Sequence, residues 1–220
     1  MQEKLITMIL FIFTIIKKIN KIALNHNPKN NNIKPMKKFW YILLISSLTT
    51  GAYATENPFF NGYKNQIALD FGWGVDSGFL IPAPIRWVPF IMGQFQYSQP
   101  SEFFRLPARK SLNIVQTLGA GTSRGWHWDK YTIPIVTISQ DVILAHNNNW
   151  YFFTGLAAGF QAQQNERIGS KLLFGFKFGG GYRLSDCVSI ELFAQHYSNG
   201  NTAPENNSYA FFGTGFIFNF

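Results

Sequence analysis

The sequence contains a single cysteine, Cys187. That excludes an internal disulfide and any cysteine-rich metal site. Charge is also scarce: charged residues make up 14% of the chain against 17% aromatic. A water-soluble domain of this size needs more charge to cover its surface. Beyond residue 54 no apolar run reaches the ~20 residues of a membrane-spanning helix. Helical repeats, a dinucleotide fingerprint, a phosphate loop and paired-cysteine metal spacings are missing as well. Neither a metal nor a cofactor is expected.

The formal charge of +8 suggests a nucleic-acid partner only until its distribution is examined. Residues 1–54 hold eight lysines and one acid, Glu3, which leaves eleven basic and ten acidic residues for 55–220. The body of the protein is close to neutral, and no nucleic-acid partner is expected.

The basic segment reads as a leader. Met36-Lys37-Lys38 precedes the apolar run Phe39–Leu48 and then Ala52-Tyr53-Ala54. This is the charged region, short apolar region and A-x-A site of a secretory signal peptide. The expected division is an over-called or disordered leader over 1–35, a signal peptide over 36–54, and a mature domain over 55–220 starting at Thr55.

What the mature part has in abundance is alternation with a period of two, the signature of strands. Ile67, Leu69, Phe71, Trp73 and Val75 alternate with Gln66, Ala68, Asp70, Gly72 and Gly74. A second strand is expected near Phe90–Ser98, with Ile91, Phe95 and Tyr97 opposite Gln94, Gln96 and Ser98. A third, Ser111–Thr122, sets Leu112, Ile114, Leu118 and Ala120 against Asn113, Thr117, Gly119 and Gly121. The fourth, about Tyr131–Asp141, has no clear phase and carries Pro134.

In the fifth, Trp150, Phe152, Leu156 and Phe160 oppose Gly155, Ala157, Gly159 and Gln161. In the sixth, Leu172, Phe174, Phe176 and Phe178 oppose Gly175, Lys177, Gly179 and Arg183. The seventh sets Val188, Ile190, Leu192 and Ala194 against Ser189, Glu191, Gln195 and Tyr197. The eighth sets Phe212, Phe216, Phe218 and Phe220 against Gly213, Gly215 and Asn219.

The bulky apolar face suits lipid, and the small or polar face suits the inside of a narrow barrel. The charged Lys177, Arg183 and Glu191 fall in the inward phase, which spares the few kcal/mol that a charge costs on the lipid side. An all-β fold is expected: an eight-stranded antiparallel transmembrane β-barrel of the bacterial outer membrane, ending in an aromatic strand. Eight strands leave no wide channel, which disfavours a porin. Parity puts both chain ends on the periplasmic side. The turn Ser185-Asp186-Cys187 is then periplasmic and the loop Asn199–Asn207 external.

The candidate site stands at the outer end of the seventh strand, in His196-Tyr197-Ser198-Asn199. Residues i and i+2 of a strand share a face. His196 and Ser198 therefore continue the lipid-facing phase, near the leaflet in which lipopolysaccharide displays its acyl esters. An imidazole beside a serine hydroxyl can take its proton and make it a nucleophile. Asn199, or the N–H groups of the Asn199-Gly200 turn, could stabilise an oxyanion. The plainer alternative makes His196 and Ser198 polar residues of the membrane rim. His127, in Trp126-His127-Trp128-Asp129, is read as interface anchoring, and His146 as a solvated turn residue.

This stretch, lying before a short loop and a final aromatic strand, resembles the lipid A 3-O-deacylase family, PagL type. The resemblance is specific over the last 25 or so residues and architectural over the rest. It implies an esterase that removes the 3-O-linked 3-hydroxyacyl chain of lipid A with a Ser–His pair and an acid. The family's acid lies roughly a dozen residues beyond the serine, and that offset gives Ala210 here. If the hairpin is symmetric about Ala203, Ala210 faces His196 and Ser208 faces Ser198. The nearby acid is Glu205, in the loop; Asn206, Asn207 or Ser208 could orient the imidazole instead.

The catalytic set expected is thus His196, Ser198 and Glu205, with Asn199 at the oxyanion. The partner is lipid A or lipopolysaccharide of the outer leaflet, and a homodimer is an allowed assembly. The competing functions are a non-enzymatic barrel, structural or adhesin-like, and an acyltransferase barrel.

Overall fold

A computed structural model of the chain describes residues 57–76, 86–119 and 132–220. The leader, His127 and the expected strand ends at Ala120–Thr122 and Tyr131 lie outside the described residues. The strands are β1 (Gln66–Asp76), β2 (Arg86–Phe103), β3 (Leu106–Gly119), β4 (Ile133–His146), β5 (Trp150–Gln161), β6 (Leu172–Arg183), β7 (Val188–Ser198) and β8 (Tyr209–Asn219). Each pairs antiparallel with the next, and β8 returns to β1 to close the barrel. Closure leaves no unpaired edge, the condition for a sheet in hydrocarbon. The last residue joins in as well, since Phe220 and Asn65 exchange both backbone hydrogen bonds.

The alternation sorts side chains as expected. Leu69, Phe71, Trp73, Phe95, Ile114, Phe152, Phe178, Leu192 and Phe216 are exposed on the outer wall. Gln66, Asp70, Gln94, Gln96, Lys177, Glu191 and Gln195 are buried inside. Val75 departs from the pattern: the register shifts between Trp73 and Val75, and the bulge leaves Val75 buried. β2 is longer than expected, because its pairing with β3 continues to Phe103–Leu106 around a two-residue turn at Phe104-Arg105. β4 settles its phase with Ile133, Ile135, Thr137 and Asp141 buried and Pro134, Val136 and Ile138 exposed. His146, expected in a turn, is the last residue of β4 and pairs with Tyr151.

The interior is layered. Phe59, from the segment ahead of β1, fills one end together with Tyr151 and Phe153. Its carbonyl accepts hydrogen bonds from Gln66 and Asn219. Above it Arg109 binds Asp141 and Glu191, Tyr151 donates to Glu191, and Lys177 binds Asp70. Five charges are tolerable at this depth because they are paired. The far end is apolar again, with Phe90, Phe211, Tyr209, Ile133, Ile135, Leu173 and Ile168. At the Phe59 end Gly181 makes room: a Cβ there would lie 2.2 Å from the Tyr151 ring.

Connections at one end are short, at 104–105, 147–149 and 184–187; those at the other end are long. In barrels of this class the short turns are periplasmic. Residue 188 of β7 is then periplasmic, and 198 is at the outer rim.

Candidate active site

His196 and Ser198 sit in the last turn of pleat on β7, separated by Tyr197, whose ring points inward and is fully buried. Tyr197 is locked there: Gln195 donates to its hydroxyl, and the hydroxyl lies 3.4 Å from Gln94 Oε1. With Tyr197 held inside, His196 and Ser198 must both face out, roughly 6.6–7 Å apart along the strand. Both are partly buried. His196 stands abreast of Phe176 on β6 and of Ala210 on β8, and Ser198 abreast of Phe174. The pair thus lies on the outer wall in register with two phenylalanines and the small Ala210.

The hairpin is symmetric about Ala203, as expected, with Ala210 opposite His196. Pairing ends at Tyr197–Tyr209, and Ser208 turns away with a left-handed φ of 57°. The structure does not bring Glu205 to His196. Its exposed carboxylate lies over Gly169, where a Cβ would come within 2.3 Å of Oε2. Asn206 Oδ1 accepts from the Asn199 N–H, and Asn206 Nδ2 donates to Asn201.

The Asn199 side chain is engaged by its own loop. It is fully buried, and its Nδ2 donates to the carbonyls of Ala203 (3.2 Å) and Glu205 (2.8 Å). Its Oδ1 accepts from Asn201 N. Both amide hydrogens go to loop carbonyls, so the side chain braces the loop. The Gly200 N–H has no hydrogen-bond partner among the described residues. Gly200 adopts φ +60°, and a Cβ there would lie 2.8 Å from the Phe174 ring, so glycine is needed on both counts.

No sequence pattern singles out Arg167. This residue of the β5–β6 loop is buried and donates to the carbonyls of Asn207 and Ser208. Among the described residues no group of His, Cys, Asp and Glu could hold a metal ion.

A closed eight-stranded barrel with a lipid-facing girdle and a filled interior defines a small outer-membrane protein. The family model described as lipid A 3-O-deacylase (PagL) matches residues 102–216, more than half of the chain, and the span takes in His196 and Ser198. The chain belongs to that family. It is therefore an enzyme of the carboxylic ester hydrolase class, acting on lipid A in the bacterial outer membrane, which sets aside the non-enzymatic alternative.

The fold agrees. The crystal structure of the outer membrane enzyme PagL is similar with a TM-score of 0.51 at 13% identity, over 70% of this chain and 99% of that one. The Neisserial surface protein A structure gives a TM-score of 0.45 at 11% identity, over 71% and 97%. The outer membrane protein Ail of Yersinia pestis gives 0.42 at 13%, over 71% and 99%. No curated protein sequence matches the chain.

Proposed function

We propose that the protein hydrolyses the 3-O-linked 3-hydroxyacyl ester of lipid A with Ser198 as nucleophile and His196 as general base. The observation that carries this is their shared lipid-facing phase at the outer end of β7, beside Phe174, Phe176 and Ala210. His196 takes the Ser198 proton as Oγ attacks the ester carbonyl. The sugar 3-oxygen leaves with that proton, and water then releases the acyl chain from Oγ as a free 3-hydroxy acid. The Gly200 N–H, two residues beyond the nucleophile, is the proposed oxyanion donor.

The position of Glu205 against Gly169 supports a machinery in which Glu205 is not the group that holds the imidazole. Mass spectrometry of lipid A from cells with and without the protein tests the reaction. The expected product is lighter by one 3-hydroxyacyl group, with the 3-position free. Unaltered lipid A, or the acyl chain found on another lipid, would refute hydrolysis.

A further inference from the structure

We propose that Arg167 is a positioning residue for this reaction: from the β5–β6 loop it fixes the main chain at Asn207-Ser208, and so the geometry around the His196–Ser198 pair. The proposal rests on the assignment of Ser198 and His196 above.

The two external loops are joined along their length. Arg167 Nε donates to Ser208 O at 3.0 Å, Nη2 donates to Asn207 O at 3.3 Å, and the Asn207 N–H donates to Arg167 O at 2.7 Å. Ile168 forms a bridge with Asn206, and the Gly169 N–H donates to Glu205 O at 2.9 Å. The clamp is anchored in turn. Asn165 Oδ1 accepts from the N–H groups of Arg167 and Ile168, and its Nδ2 donates to the Tyr209 hydroxyl. Gln161, at the end of β5, donates to Ile168 O, and the Arg167 guanidinium stacks 5.3 Å from the centre of the Phe90 ring. Ile168 is fully buried at the barrel mouth.

The clamp closes on Ser208, one of two non-glycine residues of this hairpin with a positive φ, the other being Asn201. A serine at φ 57° is strained, and such a residue persists only when its surroundings impose it. Arg167 holds the carbonyls on both sides of that bend, one residue before Tyr209 and two before Ala210, which stands beside His196. The same loop returns from Gly200, so a relaxed Ser208 would shift both the Ala210 wall and the Gly200 N–H relative to Ser198. Errors of this kind are felt in the rate, because the reacting groups need near-contact alignment.

The test compares Arg167→Ala and Arg167→Lys with the intact protein, on lipid A and on a short soluble p-nitrophenyl ester. Arg167→Ala should lower kcat about tenfold or more on both substrates while KM stays within about threefold. Arg167→Lys, a single-point donor in place of a planar fork, should fold and give an intermediate kcat. Heat-modifiable migration reports that the barrel is formed. Wild-type kcat in either folded variant overturns the proposal, as does a loss confined to KM for lipid A, which would make Arg167 a ligand for lipid phosphates. Ser198→Ala, run alongside, separates the two claims. If it stays active the site assignment fails; if it is inactive while the Arg167 variants are normal, only the clamp fails.

Discussion

Arg109 grips Glu191 with two parallel hydrogen bonds, Nη1 to Oε1 at 2.7 Å and Nη2 to Oε2 at 2.9 Å, across the inside of the barrel from β3 to β7. Both side chains are fully buried. Breaking a buried pair by removing one partner leaves an uncompensated charge, a cost of about 3–5 kcal/mol. Glu191→Ala should therefore lower the midpoint at which the folded, heat-modifiable form is lost on heating in detergent. An unchanged midpoint would mean that the interior network is not what holds β3 to β7.

The proposed nucleophile and base act as a unit. Ser198→Ala and His196→Ala should each abolish release of the acyl chain, with the double variant little worse than either single. All three should insert normally, because both residues are on the outer wall and neither fills the core. Deacylation of wild-type speed by Ser198→Ala would remove the assignment.

Glu205 is the carboxylate to test as a third member. With its carboxylate over Gly169, Glu205→Ala should leave kcat within about threefold of wild type, far from the tenfold that ~1.4 kcal/mol of transition-state stabilisation represents. A loss of tenfold or more, measured on lipid A, would show that the loop carries the carboxylate to His196 during turnover.

Leu192 is 67% exposed near the middle of β7, on the lipid side. Leu192→Arg should destabilise the barrel by about 2–4 kcal/mol, as for an arginine near the bilayer midplane. Reversible unfolding in lipid vesicles measures this. A neutral result would place that stretch of β7 outside the hydrocarbon.

The sequence made the strands legible because lipid and a narrow interior sort side chains so strictly that phase alone reveals the wall. It failed where pairing, not pattern, decides. The bulge after Trp73 inverted Val75 with no local cue. Arg109 was missed because β3 begins at Leu106, after a turn in which Phe104 and Arg105, both non-glycine, take positive φ. The H-x-S pair could be read because two residues on one strand fix their own geometry. Asn199 and Arg167 could not, since their partners are main-chain carbonyls in loops, to which no residue type corresponds.

The proposed nucleophile faces the outside of a cylinder whose inside is packed shut, and from that position substrate would reach Ser198 by sliding within the leaflet. Molar concentration is then the wrong variable for this enzyme. Its saturation is governed by mole fraction, the share of lipid A among all amphiphiles in the same film. Inert detergent or phospholipid added at constant total lipid A slows turnover by diluting the surface, although nothing has bound to the protein. In a leaflet rich in lipid A the same geometry would favour a site close to saturation, with lateral exchange between neighbours as the route of substrate entry.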